Sequence, residues 1–421
     1  MNKDELVKEI AKKARNAGYD YSILDTKRKN EALYAIADEL DNNREAIFSV
    51  NKTDVENARN NGLNEALVDR LTLTDSRFRE MVEGVRKVAT LDDPVGRIYD
   101  GRTLPNGLTL VKKSVPFGVV GVIYESRPNV TVDIAALCLK SGNACFLRGG
   151  SEAFNTNCML HSLIVKALKE KGLNPDGVSF LESTDREMVK QMLALNDYID
   201  VLIPRGGEKL QRMCQRESSI PVIIGGFGIS HIFVDKTANL EKSVEIVINA
   251  KTQKPSACNS LDTLLLHKDI ASDFIKLLLP KLSQKNVALV AHGGAVALCK
   301  DYVNVETGSE SDFDTEFLSL KMNITIVDDV YEAISHLRRH KASHSDAILT
   351  DSRENSNLFT QAAGSACVYV NASTRFSDGG QFGLGAEVAI STQKLHARGP
   401  MALEALTTYQ YVCEGDYLCR S

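Results

Sequence analysis

The chain has 421 residues, 43% of them hydrophobic and 25% charged, which is the composition of a soluble globular protein too long for one ordinary core. Its formal net charge of −5, without a long basic run, argues against nucleic acid, and no window holds the roughly 18 consecutive apolar residues of a membrane span. Nine scattered cysteines without a CxxC pair, behind an N-terminus lacking an apolar h-region, argue against a disulfide framework or zinc knuckle and predict a reducing, cytoplasmic setting.

The N-terminal region reads as successive amphipathic helices. "RKNEALYAIADELDNNREAIFSVN" and "DSRFREMVEGVRKVATL" both repeat apolar residues at three- and four-residue spacing. "DDPVG" at 92–96 stops that pattern. "GRIYDGRTLPNGLTLVKKSV" then places β-rich runs on each side of Pro105-Asn106-Gly107, a hairpin signal. From Gly118 short apolar runs alternate with helical stretches: "GVVGVIYES", "ACFLRGG", "VSFLES", "IDVLIPRGG" and "PVIIGG", with helices predicted near 153–171 and 207–217. Near-continuous apolar strands alternating with helices predict a parallel sheet covered on both faces. A second series follows in "TLLLH", "VALVAH", "ITIVDD", "DAILT" and "ACVYVN", with helices near 239–251, 270–283 and 329–340. The tail "LTTYQYVCE" alternates as one more strand, which could complete a partner's sheet or lie on its own domain.

Two loops suit a dinucleotide. Arg148, Gly149 and Gly150, followed by Ser151, lie between a strand and a helix, and Arg205, Gly206 and Gly207 do the same later. Glycines let backbone N–H groups approach phosphate at a helix N-terminus, although a GG turn alone is also ordinary punctuation. Cys258 stands in "KTQKPSACNS", among small and polar residues that leave its sulfur approachable, whereas Cys138 and Cys145 have the apolar company of buried thiols. A nucleophilic cysteine needs donors for a developing oxyanion; its own N–H is one, and Asn129 in "SRPNVT" offers an amide. On position alone a helix N-cap is the stronger reading of Asn129. His336, His340 and His344 recur every fourth residue, as on one helix face; a solvated face is expected there, and no metal. Arg375 and Arg398, in glycine-rich loops, can fork a carboxylate or phosphate, or form exposed salt bridges.

Together "VPFGVVGVIYESRPNVTVDIAALCLKSGNACFLRGGSEA", "NAKTQKPSACNSLDTLLLH", "FGLGAEVAIST" and "KLHARGP", with "LVDRLTL" and "LDDPVG", resemble the glutamate-5-semialdehyde dehydrogenase (gamma-glutamyl phosphate reductase) family of the aldehyde dehydrogenase superfamily. The likeness runs from about residue 30 to about residue 415. It implies an α/β, aldehyde-dehydrogenase-like fold with two Rossmann-like parallel-sheet domains and a β-flap oligomerisation element. The expected layout is a cofactor domain over 1–232, interrupted by the flap at about 96–114, a catalytic domain over 233–372, and a return over 373–421. The resemblance further implies Cys258 as nucleophile, Asn129 as oxyanion donor, the Arg148 loop at the adenosine end of the cofactor, and the Arg205 loop at its pyrophosphate and nicotinamide. Glu316 resembles the glutamate that holds the nicotinamide ribose.

One departure is informative. Hydrolytic aldehyde dehydrogenases carry a water-activating glutamate before a Gly-Gly pair, and here "PVIIGGFG" has Ile223 and Ile224 there. A thioester would then outlast water. The implied reaction is NADPH-dependent reduction of L-glutamyl 5-phosphate in proline synthesis, with glutamate 5-kinase as supplier and transient partner, in a homo-oligomer. Arg148 and Ser151 would meet the 2′-phosphate of NADP, while Arg127, Arg375 and Arg398 are candidates for the substrate. Rival readings are an aldehyde or acyl-CoA oxidoreductase of the same fold, and a non-catalytic dinucleotide-binding protein.

Overall fold

The helical periodicity of the N-terminal region becomes α1 (Lys3–Ser22), α2 (Thr26–Asn42), α3 (Arg44–Asn60), α4 (Glu65–Leu71) and α5 (Asp75–Thr90). The structure, a computed structural model, describes residues 3–225, 228–340 and 342–420. In α5 the buried residues Phe78, Met81, Val82, Val85, Val88 and Ala89 follow the predicted spacing, and Thr74 accepts the Arg77 N–H as its N-cap. The "LDDPVG" stop has a structural task as well. Asp93 accepts from the buried Lys29 ammonium of α2 at 2.9 Å and from Thr26 Oγ1 and the Val95 N–H, tying the helices to the exit of α5.

The chain divides into two units, the first being Met1–Gly225, Gly383–Ala389 and Met401–Ser421 and the second Gly226–Phe382 and Ile390–Pro400. In the first unit β1 (Ile98–Thr103) and β2 (Thr109–Pro116) form the expected antiparallel hairpin, turned at Gly107 with φ +87°, a conformation that glycine adopts freely. Then come β3 (Val119–Tyr124), α6 (Asn129–Lys140), β4 (Ala144–Arg148), α7 (Phe154–Glu170), β5 (Val178–Phe180), α8 (Arg186–Leu193), β6 (Val201–Arg205) and α9 (Glu208–Glu217). Their sheet is parallel in the order β5-β4-β3-β6, and β3 is buried along its whole length. Among its described residues "PVIIGG" forms isolated bridges rather than a strand, with Val222 facing Leu202, and Pro221 has no N–H to extend that ladder.

The second unit holds β7 (Ser230–Val234), α10 (Leu240–Thr252), β8 (Leu261–His267), α11 (Ala271–Gln284), β9 (Ala288–Ala291), α12 (Ala295–Cys299), β10 (Val305–Thr307), β11 (Lys321–Val327), α13 (Val330–Arg339), β12 (Ser345–Leu349), α14 (Arg353–Ala362) and β13 (Cys367–Val370). Among the described residues these strands make a seven-stranded sheet in the order β10-β9-β11-β8-β7-β12-β13, parallel in every pair. β7 escapes the sequence pattern, yet it is fully buried and sits between β8 and β12. The short ladder of β14 (Ala389–Ser391) and β15 (Gly399–Met401) contains the last unit boundaries.

The tail strand, β16 (Thr407–Glu414), lies antiparallel on β2 of its own unit, from Thr407 opposite Pro116 to Glu414 opposite Thr109. The resulting β1-β2-β16 sheet leaves β1 exposed throughout. None of the nine cysteines is in a disulfide, and Cys138 and Cys145 are buried as expected. No described helix is long and apolar enough to cross a membrane.

Candidate active site

In the first unit the chain passes from β3 to its neighbour β4, whereas β6 lies on the opposite side of β3. Strand order therefore reverses between β3 and β6, and ligands of open α/β sheets bind at the carboxyl ends of strands at such a reversal. Three predicted segments end there: Arg127 to Asn129 after β3, Arg148 to Ser151 after β4, and Arg205 to Gly207 after β6.

The β3–α6 turn is held tightly. Ser126 has φ +43°, a left-handed conformation that costs a serine about 1–2 kcal/mol. Glu152 offsets this by accepting from both the Ser126 N–H and Oγ, at 2.5 and 2.7 Å. Tyr124 and Thr131 share a 2.6 Å hydroxyl contact, and Thr131 donates to Asn157, joining α6 to α7. Asn129 is not a cap: Pro128 occupies the cap position, and Asn129 is the first residue of α6. Its Nδ2 instead donates to Asp133 Oδ2 at 2.7 Å, one turn along. Desolvation pushes the Asp133 carboxyl up to about 6, against the Asn129 hydrogen bond and the Arg205 charge. Arg127 is exposed.

Most of the loop glycines have a cause in the protein itself. A Cβ on Gly149 would meet Asn157 Nδ2 at 2.1 Å, and one on Gly206 would meet the Glu125 carboxylate at 2.3 Å. Gly207 has open space around it and precedes α9, with its N–H given to Glu125 at 3.0 Å. Beside these, Arg148 is held by burial below the ordinary guanidinium range, with the like charge of Arg186 acting in the same direction, and its buried Nε has no partner. The two cations, Arg148 and Arg186, suit a phosphate-bearing nucleotide, while the start of α9 already faces the Glu125 carboxylate. Arg186 escapes sequence reading because only the fold brings it to these loops, while Glu125 and Asp133 lie within four residues of the β3–α6 turn and were missed there.

In the second unit Cys258 precedes β8, in the turn that follows α10. Its neighbour Asn259 is buried and donates to Ser377 O at 2.9 Å, while Thr374 Oγ1 donates to Asn259 O at 2.7 Å. Gly228 presses on the same turn: a Cβ there would lie 1.7 Å from the Cys258 carbonyl oxygen. Arg375 is half-buried, donates its Nε to Gln253 at 2.9 Å, and is lowered by burial while the charges of Cys258 and Asp378 raise it. Arg375 and Cys258 are therefore neighbours. Arg398 is exposed and donates to the Gly364 carbonyl. Glu316 is half-buried before β11, beside Phe317, whose N–H donates to Asp262 of β8 at 3.2 Å. Neither arginine's observed hydrogen bond is to a carboxylate. Just before the cysteine, Lys251 is fully buried, donating to Leu261 O at 2.8 Å, and desolvation lowers it to about 8.

The histidine triplet differs from expectation. α13 ends at Arg339, so His340 caps it and His344 lies beyond. All three rings are buried rather than solvated, His336 because α13 turns that face onto the sheet and His344 because it stands just before the buried β12. His336 packs edge-on against Phe313 and beside His340 and His231, and is pushed down to about 2 by desolvation and by those neighbours. Among the described residues no group of three or more His, Cys, Asp and Glu could hold a metal ion.

Comparison with known proteins bears on this arrangement. The pattern of the aldehyde dehydrogenase family matches residues 1–292. The chain belongs to the aldehyde dehydrogenase family. It is an oxidoreductase of that family, and it resembles gamma-glutamyl phosphate reductases along nearly its whole length. The one from Vibrio vulnificus (strain YJ016) is 55% identical over 412 residues, covering 98% of this chain and 99% of that one. A crystal structure of the enzyme of that name from Thermotoga maritima is 44% identical, with TM-score 0.95 over 99% of this chain and 100% of that one. An acetylating aldehyde dehydrogenase from Geobacillus thermoglucosidasius shares the fold at 15% identity, with TM-score 0.71 over 100% of this chain and 98% of that one. The two Rossmann-like sheets are thus those of the family, as the sequence predicts. The segment at Ile223 and Ile224 is present without an acid, although Gly226 and Phe227 of the Gly-Gly stretch lie outside the described residues.

Proposed function

We propose that this chain reduces L-glutamyl 5-phosphate to L-glutamate 5-semialdehyde, with release of phosphate, in proline synthesis. The observation that carries the reading is full-length identity of 55% to a gamma-glutamyl phosphate reductase. In the proposed mechanism the Cys258 thiolate attacks the acyl carbon, the carbon–oxygen bond to phosphate breaks, and a thioester forms on Cys258. NADPH supplies hydride when bound to the first unit, where Arg148, Ser151 and Arg186 would meet its 2′-phosphate and the Arg205–Gly207 loop its pyrophosphate. Glu316 would hold the nicotinamide ribose. The Asn129 amide and the Cys258 N–H stabilise the oxyanion that develops. Cleavage of the carbon–sulfur bond then frees the aldehyde and restores the thiolate. Isoleucines at 223 and 224 supply no base to activate water, which spares the thioester.

Arg375, as the neighbour of Cys258, is favoured to grip the substrate, ahead of Arg127 and Arg398. The exposed edge of β1 offers an unpaired ladder for a second copy of the chain, consistent with a homo-oligomer. A labile acyl phosphate would also favour transient contact with glutamate 5-kinase in the cytoplasm.

The test runs the reaction backwards, from semialdehyde and NADP, with and without phosphate. Phosphate-dependent reduction of NADP is expected. Turnover without phosphate, or only with CoA, would overturn the acyl-phosphate mechanism. Cys258→Ala should abolish turnover while leaving cofactor binding intact, and persistent activity would remove Cys258 from its role.

A further inference from the structure

A helix start needs no carboxylate at Asp133. Pro128 holds the cap position and the Asn129 side chain does no capping, so the bond from Asn129 Nδ2 to Asp133 Oδ2, at 2.7 Å, serves something else. An asparagine amide carries two N–H donors on one nitrogen and an acceptor oxygen opposite, and a half-turn of the side chain exchanges them. An ionised carboxylate only accepts. It therefore selects the orientation with Nδ2 toward itself and leaves the second N–H directed elsewhere in the amide plane. The bond is charge-assisted, about twice as strong as a neutral one, so the orientation is held firmly.

The surroundings support such a duty. Asp133 is half-buried, and its carboxyl stays mainly ionised at neutral pH although desolvation pushes it up to about 6. Arg205, at the end of β6, supplies the countercharge. The turn before Asn129 is fixed by Glu152 through Ser126, so both ends of the amide's support are anchored.

We propose that Asp133 is a positioning residue that fixes the Asn129 amide so that its second N–H meets the oxyanion on the reacting carbon. The inference rests on the reading of Asn129 as oxyanion donor, and the experiment separates the two.

The test is a double-mutant cycle on the full chain, assayed from semialdehyde, NADP and phosphate. Removing an oxyanion donor costs about 100- to 1,000-fold in kcat, which is the loss expected of Asn129→Ala. Asp133→Ala, which loosens the donor without deleting it, should cost about 10- to 100-fold in kcat with little change in KM or in NADPH affinity. In the Asn129→Ala background it should cost nothing more. Asp133→Asn keeps an acceptor oxygen and should recover part of the loss; it carries the test if the alanine variant does not fold. Equal losses in both backgrounds, or wild-type kcat in Asp133→Ala beside a crippled Asn129→Ala, would overturn the positioning role. Wild-type kcat in Asn129→Ala would overturn the oxyanion reading itself.

Discussion

Replacing Gly228 by alanine tests whether the turn that carries Cys258 is placed by direct backbone contact. The added methyl would lie 1.7 Å from the Cys258 carbonyl oxygen and 2.7 Å from its carbonyl carbon. Non-bonded carbon contacts settle near 3.5–4.0 Å, so the two segments must part by more than an ångström. Backbone cannot swing aside as a flexible side chain does. The Cys258 turn is pinned through Asn259 to Ser377 and Thr374, and Gly228 leads directly into the buried β7. Whichever side yields, overpacking should cost about 1–3 kcal/mol of stability. A displacement of about 1 Å at the sulfur should lower kcat about 100-fold. The assay is turnover of folded Gly228→Ala, beside the rate at which iodoacetamide alkylates Cys258. Gly84→Ala is the control, because Gly84 lies within α5 with nothing inside 4 Å of its added Cβ, and it should gain about 0.5–1 kcal/mol. Wild-type kcat and alkylation rate in Gly228→Ala would refute the reasoning.

Other expectations concern stability. Asp93→Ala strands the Lys29 ammonium, which is 1% exposed, and should cost about 3–5 kcal/mol in urea unfolding; a loss under 1 kcal/mol would show the pair to be dispensable. His336 is kept neutral in the folded chain, whereas the unfolded chain takes up a proton below its ordinary value of 6.5. Its stabilising contribution is therefore full above that value and falls with pH, by about 2 kcal/mol between pH 6.5 and 5. His336→Gln should flatten that slope in denaturation curves, and an unchanged slope would remove the histidine as its source.

Much of the fold was legible because short apolar runs ending in glycine or arginine mark parallel strands whatever their order. β7 was not, since "SHIFV" carries polar residues at its start, and its histidine is paired to Asp346 of β12, which neighbours β7 in the sheet but lies far along the chain. Periodicity likewise suggested an exposed face for His336 and His340, because spacing reports a shared face but not what covers it. Cys258 stood out by its small polar company, a local property. Arg186 and Gly228 gave no local sign, since each matters through a neighbour from another segment, whereas Asp133 follows Asn129 by one helical turn and was within reach of i,i+4 spacing.

The antiparallel seating of Thr407–Glu414 on Thr109–Pro116 has a consequence for biogenesis. A nascent chain emerging from the ribosome can form the β1–β2 hairpin early, but an isolated hairpin is marginal in water. Its third strand follows every strand of both parallel sheets in the chain, so the flap is completed only after those strands have been made. A chain cut short before Thr407 would display an uncovered β2 edge, a template for aggregation, even with both parallel sheets in place.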